Sequence, residues 1–229
     1  MTSPTMILIH GAWGGAWCWR DLGLELDRRG VTWQAVNLPS SRTGVDPSTN
    51  LRDDADTVRA TVATVEGPVV LVGHSYGGAV VTEVASELTT LQRIIYVAAL
   101  VPLKDQSPTE TSREIRTRTL LDEAIEVDGE YLTLNPTRAI AALYDDCTQE
   151  IAQWAISNLT TQTITSFRAR RSSDDASSPS LYIRCSKDHA IDPALQEIMA
   201  ARCDAAITLE SGHSPFLSQP SILCDALLA

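Results

Sequence analysis

Short apolar runs that end in glycine-bearing turns, each followed by a segment of helical length, constrain this chain more than any other feature. Met6-Ile7-Leu8-Ile9 runs into His10-Gly11, and Val69-Val70-Leu71-Val72 runs into Gly73. Runs this short, apolar and β-branched read as strands buried on both faces. Between them, Trp17 to Arg29 predicts a helix closed by Gly30, and Thr32 to Asn37 a second strand. Leu51, Ala55, Val58, Val62 and Val65 share one helical face, with Asn50 as cap and Gly67-Pro68 as stop. Ser75 to about Leu88 predicts a third helix and Ile94-Ile95-Tyr96-Val97 a fourth strand. Three consecutive strand–helix–strand units on short loops demand a parallel sheet with helices on both faces.

The pattern lapses from Leu103 to Ser180, where no short buried strand run is read. Asn135-Pro136 opens one helix there, and Ile151, Trp154 and Ala155 mark another. Arg168 to Ser180, with its Arg and Asp run, reads as a solvated linker. The alternation then resumes: Leu181 to Cys185 as strand, Pro193 to about Arg202 as helix, Ala206 to Leu209 as strand, Pro220 to Leu228 as helix. The expected fold class is therefore α/β, a three-layer α/β/α sandwich of about six mostly parallel strands. Residues 1–102 and 180–229 form the core, and 103–179 an inserted helical lid.

Composition narrows the function. With 18 basic against 29 acidic residues the chain carries a net charge of −11, which repels nucleic acid and anionic membrane alike. Its 229 residues bury enough apolar surface to fold without a disulfide or metal staple. Cys18, Cys147, Cys185, Cys203 and Cys224 show no CxxC pair or ligand spacing. They read as free thiols of a reducing compartment, so no metal is expected and a cytoplasmic location is. Met1 to Pro4 reads as a short tail lacking the regions of a secretory signal, and no run reaches the ~20 apolar residues of a membrane span.

The chemistry concentrates at the ends of the expected strands. Gly73-His74-Ser75-Tyr76-Gly77 fits G-x-S-x-G and lies directly between the third strand and the third helix. A sharp turn there strains Ser75, holds its hydroxyl at a helix N-terminus, and leaves room only for small residues at the flanking positions. A serine nucleophile needs a base. Of four histidines, His213 is placed for it, in the loop after the sixth strand, with His189 as rival; His10 and His74 lie in tight glycine turns. His10 is expected to brace its loop. The base needs a carboxylate to hold its tautomer; Asp188, just after the fifth strand, suits this role, and Asp192 is an alternative that also suits capping the helix at Pro193. The oxyanion needs two N–H donors: the backbone of Tyr76, and that of Ala12 in the loop His10-Gly11-Ala12-Trp13-Gly14-Gly15. Trp13, Trp154 and Phe216 are candidate apolar walls of the substrate pocket.

Taken together, His10-Gly11, the Gly73–Gly77 turn, Asp188 and His213 resemble the α/β-hydrolase superfamily in order and spacing, over essentially the whole chain. The stretch Ile9-His10-Gly11-Ala12-Trp13-Gly14-Gly15-Ala16-Trp17-Cys18-Trp19 is similar to the small plant methyl esterases and hydroxynitrile lyases and to related bacterial carboxylesterases. The resemblance implies a strand order 2-1-3-4-5-6, a lid-covered pocket above the strand ends, no cofactor, and a small-molecule ester as partner. Two positions depart from it. Gly14 stands where the plant members carry a second histidine, and Ser214 where hydroxynitrile lyases carry a lysine, which counts against lyase activity. The resulting expectation is a serine carboxylesterase. A lactonase, or a hydrolase or lyase of carbon–carbon bonds, would use the same residues. A small-molecule receptor is the non-catalytic alternative, and an apolar lid surface would suit a homodimer.

Overall fold

The computed structural model describes residues 3–229; the tail reading at Met1 and Thr2 lies outside them. The first half contains β1 (Thr5–Ile9), α1 (Arg20–Arg28), β2 (Trp33–Val36), α2 (Leu51–Ala63), β3 (Val69–His74), α3 (Tyr76–Val84) and β4 (Leu91–Val97). An insertion follows, with α4 (Pro108–Ser112), α5 (Leu120–Ala124), β5 (Ile125–Asp128), β6 (Tyr131–Leu134), α6 (Pro136–Leu143), α7 (Gln149–Asn158), β7 (Gln162–Thr163) and α8 (Ile164–Arg168). The chain closes with β8 (Ser180–Cys185), α9 (Pro193–Ala200), β9 (Ala205–Leu209), α10 (Pro215–Ser218) and α11 (Pro220–Leu228).

Six parallel strands form the main sheet in the order β2-β1-β3-β4-β8-β9, the order expected. Period-2 alternation splits each central strand between two cores. Ile7, Ile9, Val69 and Leu71 pack with Val58 of α2, Val80 of α3 and Leu195 of α9. Met6, Leu8, Val70 and Val72 pack with Leu22 and Leu26 of α1 and Leu223 of α11. The sheet is thus covered on both faces, and its strands are apolar at consecutive positions because every position has a core to enter. Asn50 caps α2, accepting from Arg52 N–H, while Asp53 reaches back to the Asn50 N–H at 2.8 Å.

From β1 the chain moves outward to β2, then returns to place β3 on the other side of β1. Loops after β1 and β3 therefore leave the sheet side by side at a topological switch point, where α/β sheets bind ligands. Ile9 pairs with Gly73 in the register, so His10 and His74 begin neighbouring loops.

Three expectations need correction. The insertion is not purely helical: β5, β6 and β7 form a separate antiparallel sheet. The turn between β5 and β6 is a two-residue hairpin loop with Gly129 at φ +60, a conformation glycine adopts at little cost. The alternating Ile125-Glu126-Val127-Asp128 before Gly129 was the available signal, masked by its exposed, polar composition. Nor is the Arg168 to Ser180 stretch merely solvated. Arg171 is buried and donates to the carbonyls of Pro102 (3.0 Å) and Asp174 (2.7 Å). Buried Glu83 accepts from Ser172 N–H and hydroxyl. Finally, the helix expected from Trp17 is a 3-10 turn, Ala16–Trp19, that leads into α1. No helix among the described residues is long and apolar enough to cross a membrane.

Candidate active site

Ser75 occupies the turn between β3 and α3 at φ +53, ψ −122, a region that non-glycine residues enter only under constraint. The constraint is packing. A Cβ at Gly73 would meet the Gly77 carbonyl oxygen at 2.8 Å, and a Cβ at Gly77 would meet the carbonyl oxygens of Ile9 and His10 at 2.5 Å. With α3 pressed this closely onto β1 and β3, the chain must turn within one residue. Ser75 carbonyl oxygen accepts from Gly78 N–H and Leu100 N–H, both at 3.0 Å, which holds the strained residue in place.

His213, in the loop between β9 and α10, is buried and its Nδ1 lies 2.8 Å from Asp188 Oδ2. A carboxylate oxygen accepts, so His213 Nδ1–H is the donor of this bond. The Asp188 side chain is fully buried and further held by Ala190 N–H (2.7 Å) and Ile191 N–H (2.9 Å) on Oδ1 and by Gln196 Nε2 (3.0 Å) on Oδ2. Asp192 does other work: it caps α9, accepting from Ala194 N–H at 2.8 Å. His189 is half exposed and faces Asp145 at 3.5 Å. Of the two aspartates, Asp188 meets His213 and Asp192 meets Ala194 N–H.

Two other histidines brace the site. His10 Nε2 accepts from Leu38 N–H at 3.0 Å, so its Nδ1–H donates to the Gly11 carbonyl at 2.7 Å. Burial lowers its pKa to about 4, which keeps the ring neutral in this role. His74 Nε2–H donates to the His213 carbonyl at 2.9 Å, and burial, then the neighbouring His213, holds its pKa well down. Its ring packs 4.5 Å from that of His213 and 4.8 Å from Phe216.

Ala12 and Tyr76 line the same cleft as Ser75. Tyr76 begins α3, so its N–H has no intrahelical acceptor. Among the described residues Ala12 N–H has none either. A buried polar chain ties both positions together. Tyr76 hydroxyl donates to Asp54 Oδ2 at 2.6 Å, and Asp54 also accepts from Ser40 N–H (3.0 Å) and hydroxyl (2.6 Å). Gln162 of β7 donates to the Ser40 hydroxyl at 2.8 Å and accepts from Trp13 N–H at 3.2 Å. Trp13 itself sits at φ +60. Burial pushes the Asp54 carboxyl up to about 6 against the lowering effect of its Ser40 and Tyr76 hydrogen bonds.

Ser75 opens onto two spaces. One is a pocket of about 30 Å³ lined by Trp13, Trp17, His213 and Phe216 among others. The other is a cleft of about 850 Å³ beneath the insertion, with Ala12, Trp13, Ser75 and Tyr76 at its base. Trp13 and Phe216 line these cavities, and Trp154 does not. It meets Trp17 edge-on at 5.3 Å and carries the Arg20 guanidinium 3.8 Å above its ring, outside both spaces.

Sequence reasoning missed Gln196, Gln162 and Asp54, whose roles come from side-chain partners that the fold supplies. It also missed Asp146, whose carboxylate accepts from Gly212 N–H at 2.7 Å and so anchors the loop before His213. None carries a local motif; only Asp54, an acid on the apolar face of α2 next to Ala55 and Val58, was visible as an anomaly.

The chain is similar to known proteins along nearly its whole length. Over 255 residues it is 25% identical to methylesterase 18 of Arabidopsis thaliana, covering 100% of this chain and 97% of that protein. It is 27% identical over 245 residues to pheophorbidase of Raphanus sativus, covering 97% and 92%. A pyrethroid hydrolase of Sphingobium faniae superimposes with a TM-score of 0.86 at 24% identity, over 99% of this chain and 96% of that one. Residues 6–226 match the alpha/beta hydrolase family, and the chain belongs to that family.

Proposed function

We propose that this protein hydrolyses carboxylic esters of small, partly apolar molecules through an acyl-enzyme on Ser75. The observation that carries the reading is the buried His213–Asp188 pair at 2.8 Å, in a cavity wall shared with a strained Ser75. The ester-hydrolase names of relatives aligned along nearly the whole chain support the reaction class.

In this mechanism His213 Nε2 takes the Ser75 proton as Oγ attacks the ester carbonyl carbon. Asp188 stabilises the imidazolium and keeps its Nε2 side toward the serine. The carbonyl oxygen, now negative, is held by the N–H groups of Ala12 and Tyr76, which are spared other acceptors and cost no reorganisation as charge develops. Collapse breaks the carbon–oxygen bond of the alcohol, which leaves with the proton from His213. Water then gives a proton to His213 and attacks the acyl carbon; collapse breaks the carbon–Oγ bond, His213 returns the proton to Ser75 Oγ, and the acid leaves. No step requires a metal or cofactor. The 30 Å³ pocket suits a group the size of a methyl, and the 850 Å³ cleft suits the larger part of the ester.

The test is hydrolysis of p-nitrophenyl acetate, butyrate and octanoate by the wild type and Ser75→Ala. Turnover that falls on the order of a thousandfold or more in the variant supports the reading. Wild-type rates no higher than those of Ser75→Ala on every ester overturn it.

A further inference from the structure

The large cleft is charged against the grain of the protein. The chain as a whole carries 29 acidic and 18 basic residues. Yet the cleft is lined by Arg113, Arg116, Arg118 and Arg168 and by just two carboxylates, Asp122 and Asp192. Both carboxylates are occupied as helix caps: Asp122 accepts from Thr119 N–H at 2.8 Å and Asp192 from Ala194 N–H at 2.8 Å. Arg118 has a loose partner in Glu123 at 3.8 Å. Among the described residues Arg113, Arg116 and Arg168 make no ion pair and no side-chain hydrogen bond, unlike Arg170, Arg171, Arg184 and Arg202 elsewhere on the chain.

The three come from two neighbouring parts of the insertion that both line the cleft. Arg113 and Arg116 lie on the segment between α4 and α5, and Arg168 ends α8. The same cleft carries apolar side chains, including Leu100, Leu132 and Phe167. A ligand that fills this cleft therefore meets the reacting serine, apolar side chains and unspent guanidinium groups. Guanidinium groups recognise carboxylates, sulfates and phosphates through paired N–H donors. In a protein of net charge −11 such a positive patch also draws anions out of a field that otherwise repels them.

We propose that the substrates are esters whose acyl part ends in an anionic group: the ester at Ser75, an apolar spacer along the cleft, and a carboxylate at Arg113, Arg116 and Arg168. This rests on the ester-hydrolase reading above and names its substrate class.

The test compares matched methyl esters by acid release in a pH-stat: monomethyl suberate (anionic), methyl octanoate (neutral) and methyl 8-aminooctanoate (cationic). The expected kcat/KM is about tenfold higher for the anionic than for the neutral ester and lowest for the cationic one. Raising the salt from 20 to 500 mM should shrink that advantage, because exposed charges are screened. The combined variant Arg113→Gln, Arg116→Gln, Arg168→Gln should bring the anionic and neutral esters within twofold of each other. A second arm needs no turnover: thermal shifts of Ser75→Ala with each ester, which should be largest for monomethyl suberate and lose that excess when the three arginines are also replaced. Equal rates and equal thermal shifts for the anionic and neutral esters overturn the proposal while leaving the esterase reading intact. Absence of turnover with all three esters, alongside a selective shift by monomethyl suberate, overturns the esterase reading and upholds anion recognition by the cleft.

Discussion

Replacing Asp54 with Asn removes a buried negative charge while keeping the side chain's shape, and the structure says how stability should respond to pH. Asp54 is fully buried and meets Ser40 and Tyr76, with no cation beside it among the described residues. Its carboxyl is raised from 3.8 to about 6, chiefly by burial. A group raised in the folded state favours folding while protonated. Its contribution is complete below pH 3.8 and is lost as pH rises through about 6. The raised pKa corresponds to about 3 kcal/mol at 1.36 kcal/mol per pH unit. The substituted amide carries no charge at any pH and can accept from Ser40 N–H while donating to Tyr76 or Ser40 oxygen. The stability of Asp54→Asn relative to wild type should therefore rise by about 3 kcal/mol between pH 4 and pH 7, roughly 6–12 °C in Tm for a chain of this size. His10 and His74 also titrate on unfolding, but they are present in both proteins and cancel in the difference. Thermal unfolding followed by near-ultraviolet circular dichroism at half-unit pH steps measures it. A Tm difference that stays level across that range, or falls, refutes the assignment of a buried, destabilising charge at Asp54.

Further outcomes follow from the same geometry. Asp188→Asn should lower kcat on p-nitrophenyl butyrate by about ten-thousandfold, since an amide offers His213 the wrong hydrogen-bond partner. Asp192→Asn should leave kcat within twofold, because Asn caps α9 equally well; steady-state kinetics of the pair separates the two aspartates. Gly77→Ala should cost about 3 kcal/mol or more in urea unfolding, because its methyl would meet backbone carbonyls at 2.5 Å that cannot move aside. Trp154→Ala should lose about 1–3 kcal/mol of stability, by loss of the Trp17 and Arg20 contacts, yet hydrolyse small esters at the wild-type rate. A large rise in KM there would restore Trp154 to the pocket.

Most of the architecture could be read from the chain because parallel strands buried on both faces leave a plain trace. Met6 to Ile9 and Val69 to Val72 have nowhere to point but into a core, so their apolar runs admit few alternatives. The turn around Ser75 was legible for a related reason: a strand, a strained residue and a helix packed at contact distance allow only small neighbours, and the glycines record it. His213 and Asp188 were found by position, since each follows a strand whose end opens on the same edge of the sheet.

The insertion obeys no such rule. Its hairpin, β5 with β6, is exposed and polar enough to pass for loop, and its tryptophan at helical spacing could equally have been wall or support. Whether Trp154 lined the pocket depended on where α7 docks, which no local pattern encodes. The same holds for the polar supports. Asp54, Gln162 and Gln196 are chosen by partners 22, 122 and 8 residues away. Sequence alone determined the layers and the candidate reacting groups, because each is dictated by burial or by backbone strain within a few residues, while the strand order followed from the family that those motifs resemble. Only the tertiary structure decided which aspartate meets His213, what holds Ala12 and Tyr76 beside Ser75, and which charges the cleft presents, because those depend on contacts between segments that the chain itself keeps far apart.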